Sequence, residues 1–324
     1  MRNWGFLGQL GENRHSPFET VRELPFARQS YQTKMRILLT GGRGQVGHEL
    51  LPLLKELGVV HAPGREQLDL ASEDSIVSGV RDFHPQMIVN AGAYTLVNDA
   101  ETNADLAYSV NARAPGLLAL LASEMDAILV HYSTDYVFDG TKQGPWIESD
   151  AAHPLNVYGA SKLAGEQNIA AVGGRFLVFR TSWVYGTQGS NFLLTIRRLA
   201  SERTELRIVC DQVGAPTSAL EIAKTTTQLI RAMDHPPERE FPSGIYHLTT
   251  AGSTSWFGFA EAIVEYLRTR MPLKVERILP VSSADFPTPA KRPLNSVLSN
   301  AKFGETFGFQ LADWKSGLLE VMRR

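Results

Sequence analysis

One stretch near residue 40 limits the fold more than any other. Residues 35–40, Met-Arg-Ile-Leu-Leu-Thr, form a short apolar run, and Gly41-Gly-Arg-Gly-Gln-Val-Gly47 follows at once. Leucines then recur at 50, 51, 53, 54 and 57, the repeat of an amphipathic helix. The order is strand, glycine turn, helix. Gly41, Gly44 and Gly47 stand three apart, where a tight turn needs residues without Cβ and the backbone must approach a pyrophosphate at the helix N-terminus. A loop that merely connects is the plainer reading; the strand before and the helix after favour a dinucleotide site.

Alternation continues. Val59-Val60 reads as a second strand, 72–83 as a helix with Ser72 as N-cap, and 87–91 as a third strand running into Gly92-Ala93-Tyr94-Thr95. A long helix is expected over 103–124. A fourth strand at 127–132 ends in Ser133-Thr134-Asp135, and a fifth spans 175–181. Strands separated by helices predict an α/β fold, a Rossmann-type doubly wound parallel sheet. Its ligands bind at the C-terminal strand ends, where Gly41, Ala93, Thr134 and Ser182 converge.

The second strand ends in Pro63-Gly64-Arg65, with no acidic residue. An Asp or Glu there would accept from the NAD ribose, whereas Arg65 can pair with the 2′-phosphate of NADP. Arg65 as a solvated surface residue is an equal rival. The expected cofactor is therefore NADPH, with NADH left open; Asp69-Leu70 would lie along the adenine.

Asn156 to Lys162 reads as the start of a helix. Tyr158 and Lys162, four apart, share a face. An ammonium beside a phenol lowers the phenol pKa, so Tyr158 could protonate a developing alkoxide near neutral pH. Tyr-x-x-x-Lys alone is equally an ordinary helix face.

After about residue 185 the pattern is more broken. Helices are expected over 191–201, 220–233, 256–267 and 313–322, strands over 206–209 and 244–248, and loops over 280–298. The expected division is a dinucleotide-binding part at 35–185 and a smaller, mainly substrate-binding α/β part at 186–324, with segments returning to the sheet. Residues 1–34 show no sustained period and no signal-peptide core, and read as a leader or a misplaced start, poorly ordered.

Composition excludes several classes. The net charge of −2 and the lack of basic blocks disfavour nucleic acid and anionic membranes. No apolar run approaches bilayer-spanning length. Cys210 is the single cysteine, so neither an internal disulfide nor a cysteine metal cluster can form, and a reducing cytoplasm is the expected setting.

The glycine turn, the Ser/Thr after the fourth strand and Tyr-x-x-x-Lys together resemble the extended short-chain dehydrogenase/reductases. More narrowly, 131–138 (HYSTDYVF), 154–162 (PLNVYGASK), 179–185 (FRTSWVY), 211–217 (DQVGAPT) and 292–296 (RPLNS) resemble the dTDP-4-dehydrorhamnose reductases. The resemblance runs from about residue 35 to the end. It implies NAD(P)H-dependent reduction of the 4-keto group of dTDP-6-deoxy-L-lyxo-4-hexulose to dTDP-L-rhamnose. Tyr158 would be the proton donor. Lys162 would hold the nicotinamide ribose and lower the Tyr158 pKa, and Thr134 would bond the substrate oxygen. Asp135 would be a sugar contact and Trp183 an aromatic wall against the dTDP-sugar. Gly44-Gln45-Val46 would approach the pyrophosphate, with Asp69, Leu70, Ala93, Tyr94 and Thr95 lining the cofactor. Some relatives bind magnesium through glutamates. Glu49 occupies one such position without a clear C-terminal partner, so Mg2+ is not expected; a homodimer stays open. The alternatives are another nucleotide-sugar reductase or epimerase, or a non-catalytic dinucleotide-binding regulatory subunit.

Overall fold

The computed structural model describes residues 34–233 and 241–324. The expected leader, 1–34, lies outside these residues but for Lys34. The N-terminal elements alternate: β1 (Met35–Thr40), α1 (Gln45–Lys55), β2 (Gly58–His61), α2 (Glu73–Phe83), β3 (Met87–Asn90) and two short helices, α3 (Val97–Ala100) and α4 (Ala104–Tyr108). Next come α5 (Ala114–Glu124), β4 (Ile128–Thr134), α6 (Val157–Val172), β5 (Arg175–Thr181) and β6 (Val184–Tyr185). The remainder comprises α7 (Phe192–Glu202), β7 (Glu205–Val209), β8 (Val213–Gly214), β9 (Thr217–Ser218), α8 (Ala219–Met233), β10 (Gly244–His247), β11 (Thr254–Ser255), α9 (Trp256–Arg268), β12 (Arg277–Val281), α10 (Ala301–Phe307) and α11 (Trp314–Met322).

Six strands form one sheet in the order β10-β5-β4-β3-β1-β2. All of its pairs are parallel. Strand order reverses between β1 and β3, which opens a crevice at their C-terminal ends. Both faces are covered. One core layer holds Ile37, Leu50, Val130 and Ile222, and the other Leu38, Ile76, Leu118 and Ile169. A further core, with Tyr185, Ile196, Phe259 and Trp314, is built from residue 185 onward. Strand β10, from late in the sequence, forms one edge of the six-stranded sheet beside β5.

Local chemistry sets the helix starts. The side chains of Ser72, Asn156, Asn191, Ser255 and Asp313 each cap a helix by accepting a backbone N–H. Two sequence expectations differ from the structure. The helix expected over 103–124 is interrupted by a π-turn at Ser109–Arg113. The π-turn puts the buried Asn111 side chain toward the loop after β3, where it accepts from Tyr94 N at 2.8 Å and donates to Tyr94 O and Ser161 Oγ, each at 3.0 Å. These bonds compensate the broken helical repeat. Pro280, expected in a loop, lies in β12, which pairs in parallel with β7. A two-stranded ladder leaves β12 an open side, where proline is tolerated.

Candidate active site

The glycine turn is built for close approach. Gly41 has φ +67°, and a Cβ on Gly47 would lie 2.1 Å from Gly41 O. The N-cap of α1, Gly44, gives no side-chain cap, so the first-turn amides of α1 face the crevice unspent. Around the turn open two clefts. One, of about 440 Å³, is lined by Gly41, Gly44, Arg65, Asp69, Leu70, Ala93, Tyr94 and Thr95, among others. The other, of about 780 Å³, is lined by Gly41, Gly44, Gln45, Val46, Ala93, Thr95, Tyr158, Lys162 and Arg292, among others. Gly47 lines neither and serves the close packing of the turn. These cavities fit a dinucleotide, whose diphosphate the free amides of the helix start can take. Arg65 is well exposed and paired with Asp69 at 3.4 Å, and Arg43 with Glu66 at 3.1 Å; both arginines line the smaller cleft.

Tyr158 and Lys162 stand one turn apart on α6. Gly159 lets this helix press against the loop after β4, since a Cβ there would lie 2.1 Å from Tyr136 O. That approach brings Tyr158 beside the Thr134 hydroxyl, which acts against the burial that raises the phenol pKa. Thr134 donates to Asp135 Oδ1 at 3.0 Å, and Ser182 donates to Asp135 Oδ2 at 3.3 Å. Burial raises the Asp135 carboxyl to about 6. Tyr136 stacks edge-on against Tyr158.

The expectation that Lys162 lowers the Tyr158 pKa is not met in this geometry. Burial drives the Tyr158 phenol above its ordinary value, and the nearby Asp135 adds to that. The Lys162 ammonium, 1% exposed, donates instead to Tyr132 O at 2.5 Å and lies 3.1 Å from His131 Nε2. Burial lowers Lys162 to about 8, opposed by Glu166. Glu166 itself is buried, taking Arg180 Nη2 at 2.6 Å and Ser133 Oγ at 2.5 Å.

Trp183 is the residue expected as an aromatic wall. It stacks on Trp256, ring centroids 3.5 Å apart, with φ +49°, and packs over Gly214. Trp256 is the ring that lines a third cavity, of about 660 Å³, together with Phe192, Arg207, Lys291, Arg292 and Phe286. Arg292 lines this cavity and the Tyr158 cleft alike. No short-range signal marked Trp256, Phe192 or Arg207, because α7, β7 and α9 meet only in the folded chain. Asn191, which caps α7, donates to Gln45 Oε1 at 2.9 Å and ties that part to the glycine turn. At the magnesium position, the buried Glu49 carboxylate pairs with Arg324 at 2.7 Å. Among the described residues no group of three or more His, Cys, Asp or Glu comes together, and no helix is long and apolar enough to cross a membrane.

The parallel sheet, the glycine turn at its switch point and the Thr-Tyr-Lys cluster beside it define a dinucleotide-dependent oxidoreductase. Residues 35–324 match the family described as the RmlD substrate binding domain. The chain belongs to the dTDP-4-dehydrorhamnose reductase family. It is 49% identical to the dTDP-4-dehydrorhamnose reductase of Burkholderia thailandensis, over 87% of this chain and 96% of that protein. With the Escherichia coli enzyme of the same name it shares 41%, over 89% and 97%. The crystal structure of the Bacillus anthracis dTDP-4-dehydrorhamnose reductase in complex with NADP superposes with TM-score 0.83 at 34% identity, covering 90% of this chain and 99% of that one. The Thermus thermophilus UDP-glucose 4-epimerase complex with NAD shares the fold, with TM-score 0.69 at 20% identity over 89% and 99%.

Proposed function

We propose that this chain reduces the 4-keto group of dTDP-6-deoxy-L-lyxo-4-hexulose to dTDP-L-rhamnose with NADPH, and that Tyr158 delivers the proton. The observation that carries the reading is the shared cleft. The glycine turn, Tyr158 and Lys162 line one cavity, which meets the Trp256 cavity at Arg292. A nucleotide-sugar can lay its base near Trp256 and Phe192 and its diphosphate near Arg207, Lys291 and Arg292. Its keto group then reaches Thr134 and Tyr158. On this reading 35–185 chiefly serves the cofactor and 186–324 chiefly the substrate, and the setting is cytoplasmic.

NADPH supplies the hydride when bound. The chain's own residues do the rest. Thr134, whose hydroxyl proton points to Asp135 without substrate, turns that proton to the ketone oxygen and orients it. Tyr158, kept protonated by burial, gives its O–H proton to the oxygen as negative charge develops there. Lys162, the only ammonium lining that cleft among the described residues, holds the nicotinamide ribose and resupplies the proton to Tyr158 after each turnover.

The test is NADPH consumption by the purified protein with and without this 4-keto sugar. Substrate-dependent turnover is expected, with Tyr158→Phe lowering kcat by roughly 100-fold or more, as for loss of a general acid. No turnover would overturn the activity; Tyr158→Phe retaining more than about a tenth of kcat would overturn the proton-donor role.

A further inference from the structure

Lys162 does not end at the active-site cleft. Behind it a line of fully buried polar side chains crosses three strands. Lys162 Nζ lies 3.1 Å from His131 Nε2. His131 Nδ1 lies 3.0 Å from the Asn90 side-chain amide, and Thr40 Oγ1 donates to Asn90 Oδ1 at 2.6 Å. The four residues are 0–3% exposed. The proposed mechanism uses only the first of them.

The protons on this line are constrained. Burial and the Lys162 charge hold His131 well below its usual range, so the ring is neutral and carries one N–H. When Lys162 is an ammonium it has only protons to offer, so His131 Nε2 must accept and the ring proton sits on Nδ1. Nδ1–H then needs an acceptor, which is Asn90 Oδ1, with the Asn90 amide turned so that its NH2 meets Thr40 Oγ1. When Lys162 is a neutral amine its lone pair can accept from Nε2–H. Nδ1 then accepts from the Asn90 NH2, while Asn90 Oδ1 takes the Thr40 proton. Each state satisfies both ring nitrogens of His131, at the same heavy-atom positions. The two differ by one proton on Lys162, a change of His131 tautomer and a turn of the Asn90 amide. A phenylalanine or leucine at 131 could support neither.

We propose that His131, backed by Asn90 and Thr40, is a positioning residue that keeps Lys162 in place in both of its protonation states by switching tautomer. The proposal extends the role given to Lys162 above. During turnover the Tyr158 O–H bond breaks as the product O–H forms. The Lys162 N–H proton can then restore the phenol, leaving an amine that regains its proton from solvent. His131 stays neutral throughout and only changes which nitrogen carries hydrogen.

Other groups around the pair are accounted for. Glu166, on α6, favours the ammonium and is itself paired with Arg180 from β5. Tyr132 gives only its carbonyl. The π-turn presents Asn111 to Ser161, and neither titrates.

The decisive experiment reads the tautomer directly and needs no activity. Histidine-15N-labelled full-length protein is followed by long-range 15N–1H correlation from pH 6 to 10. The His131 signals are assigned by their loss in His131→Gln. Expected is Nδ1–H at pH 6, moving to Nε2–H with a midpoint near 8, where Lys162 titrates. In Lys162→Met the ring should show no such transition. A tautomer that is constant with pH, or a doubly protonated ring at pH 6, overturns the proposal. Steady-state kinetics supply the second arm. A hydrogen bond to the ammonium favours the charged form, so His131→Phe should move the alkaline limb of kcat to lower pH by about one unit, and His131→Gln, whose amide can accept or donate, should restore it. Should His131→Phe be insoluble, Asn90→Leu is expected to move the limb in the same direction. An unmoved limb in a variant that still turns over speaks against the proposal. Wild type that shows no turnover removes the functional reading instead and leaves the tautomer result standing.

Discussion

Replacing Glu166 by leucine should destabilise the protein and move the chemistry of Lys162 at the same time. The Glu166 carboxylate accepts from Arg180 Nε at 2.9 Å, Arg180 Nη2 at 2.6 Å and Ser133 Oγ at 2.5 Å. The side chains of the pair are 1% and 4% exposed. Arg180 Nη1 already has no partner. Removing the carboxylate therefore strands a buried guanidinium that cannot give up its charge. Breaking such a pair costs about 3–5 kcal/mol, or on the order of 10 °C in Tm for a chain of this size. Urea unfolding at pH 7 followed by circular dichroism measures it. The double variant Glu166→Leu/Arg180→Met removes both charges and should recover most of the loss, since an apolar pair of similar volume is often neutral. The site reports independently. Glu166 raises the Lys162 pKa against the burial that lowers it to about 8. Without Glu166 the ammonium is lost at lower pH, so the alkaline limb of kcat should move down. A single variant costing less than about 1 kcal/mol, or a double variant as unstable as the sum of the singles, would refute the reasoning.

Gly47→Ala puts a methyl 2.1 Å from Gly41 O; NADPH affinity, read by quenching of tryptophan fluorescence, should fall at least 10-fold, with the fold retained by circular dichroism. Trp256→Ala should raise KM for the nucleotide-sugar with little change in KM for NADPH, because Trp256 lines the cavity at Arg292 and not the glycine cleft. Trp183→Ala should act more weakly, through loss of the stack that supports Trp256. Burial holds His247 neutral, its pKa lowered to about 3. A depressed folded-state value gives stability that is full above the unfolded value near 6.5 and is lost as pH falls toward 3. The urea midpoint should therefore drop from pH 7 to pH 4, and His247→Gln should flatten that slope. Asp135, raised to about 6, works in the opposite sense between about 4 and 6, so Asp135→Asn should steepen it.

Much of the site was legible in the residues alone, and the reason is geometric. A strand followed by glycines three apart and a leucine repeat has one economical arrangement, because turn and helix are set by neighbours in sequence. Tyr158 and Lys162 share a face because an α-helix repeats every 3.6 residues. The capping residues Ser72, Asn156, Asn191 and Asp313 act on amides two or three positions away. The alternation of strand and helix, with handed crossovers, then leads to the parallel sheet.

Tertiary structure decided what depends on distant partners. Trp183 is joined by Trp256, 73 positions later in the chain, which stacks on it and lines the cavity. The helix over 103–124 was broken at Asn111 by bonds to Tyr94 and Ser161, neither of them near in sequence. Tyr158 and Lys162 were found by spacing, but their acidities follow from burial and from His131, Glu166 and Thr134, brought in on other elements or other turns. Proximity in the chain determines local geometry. The dielectric around a charge, and the partner it finds, exist only once the strands have assembled.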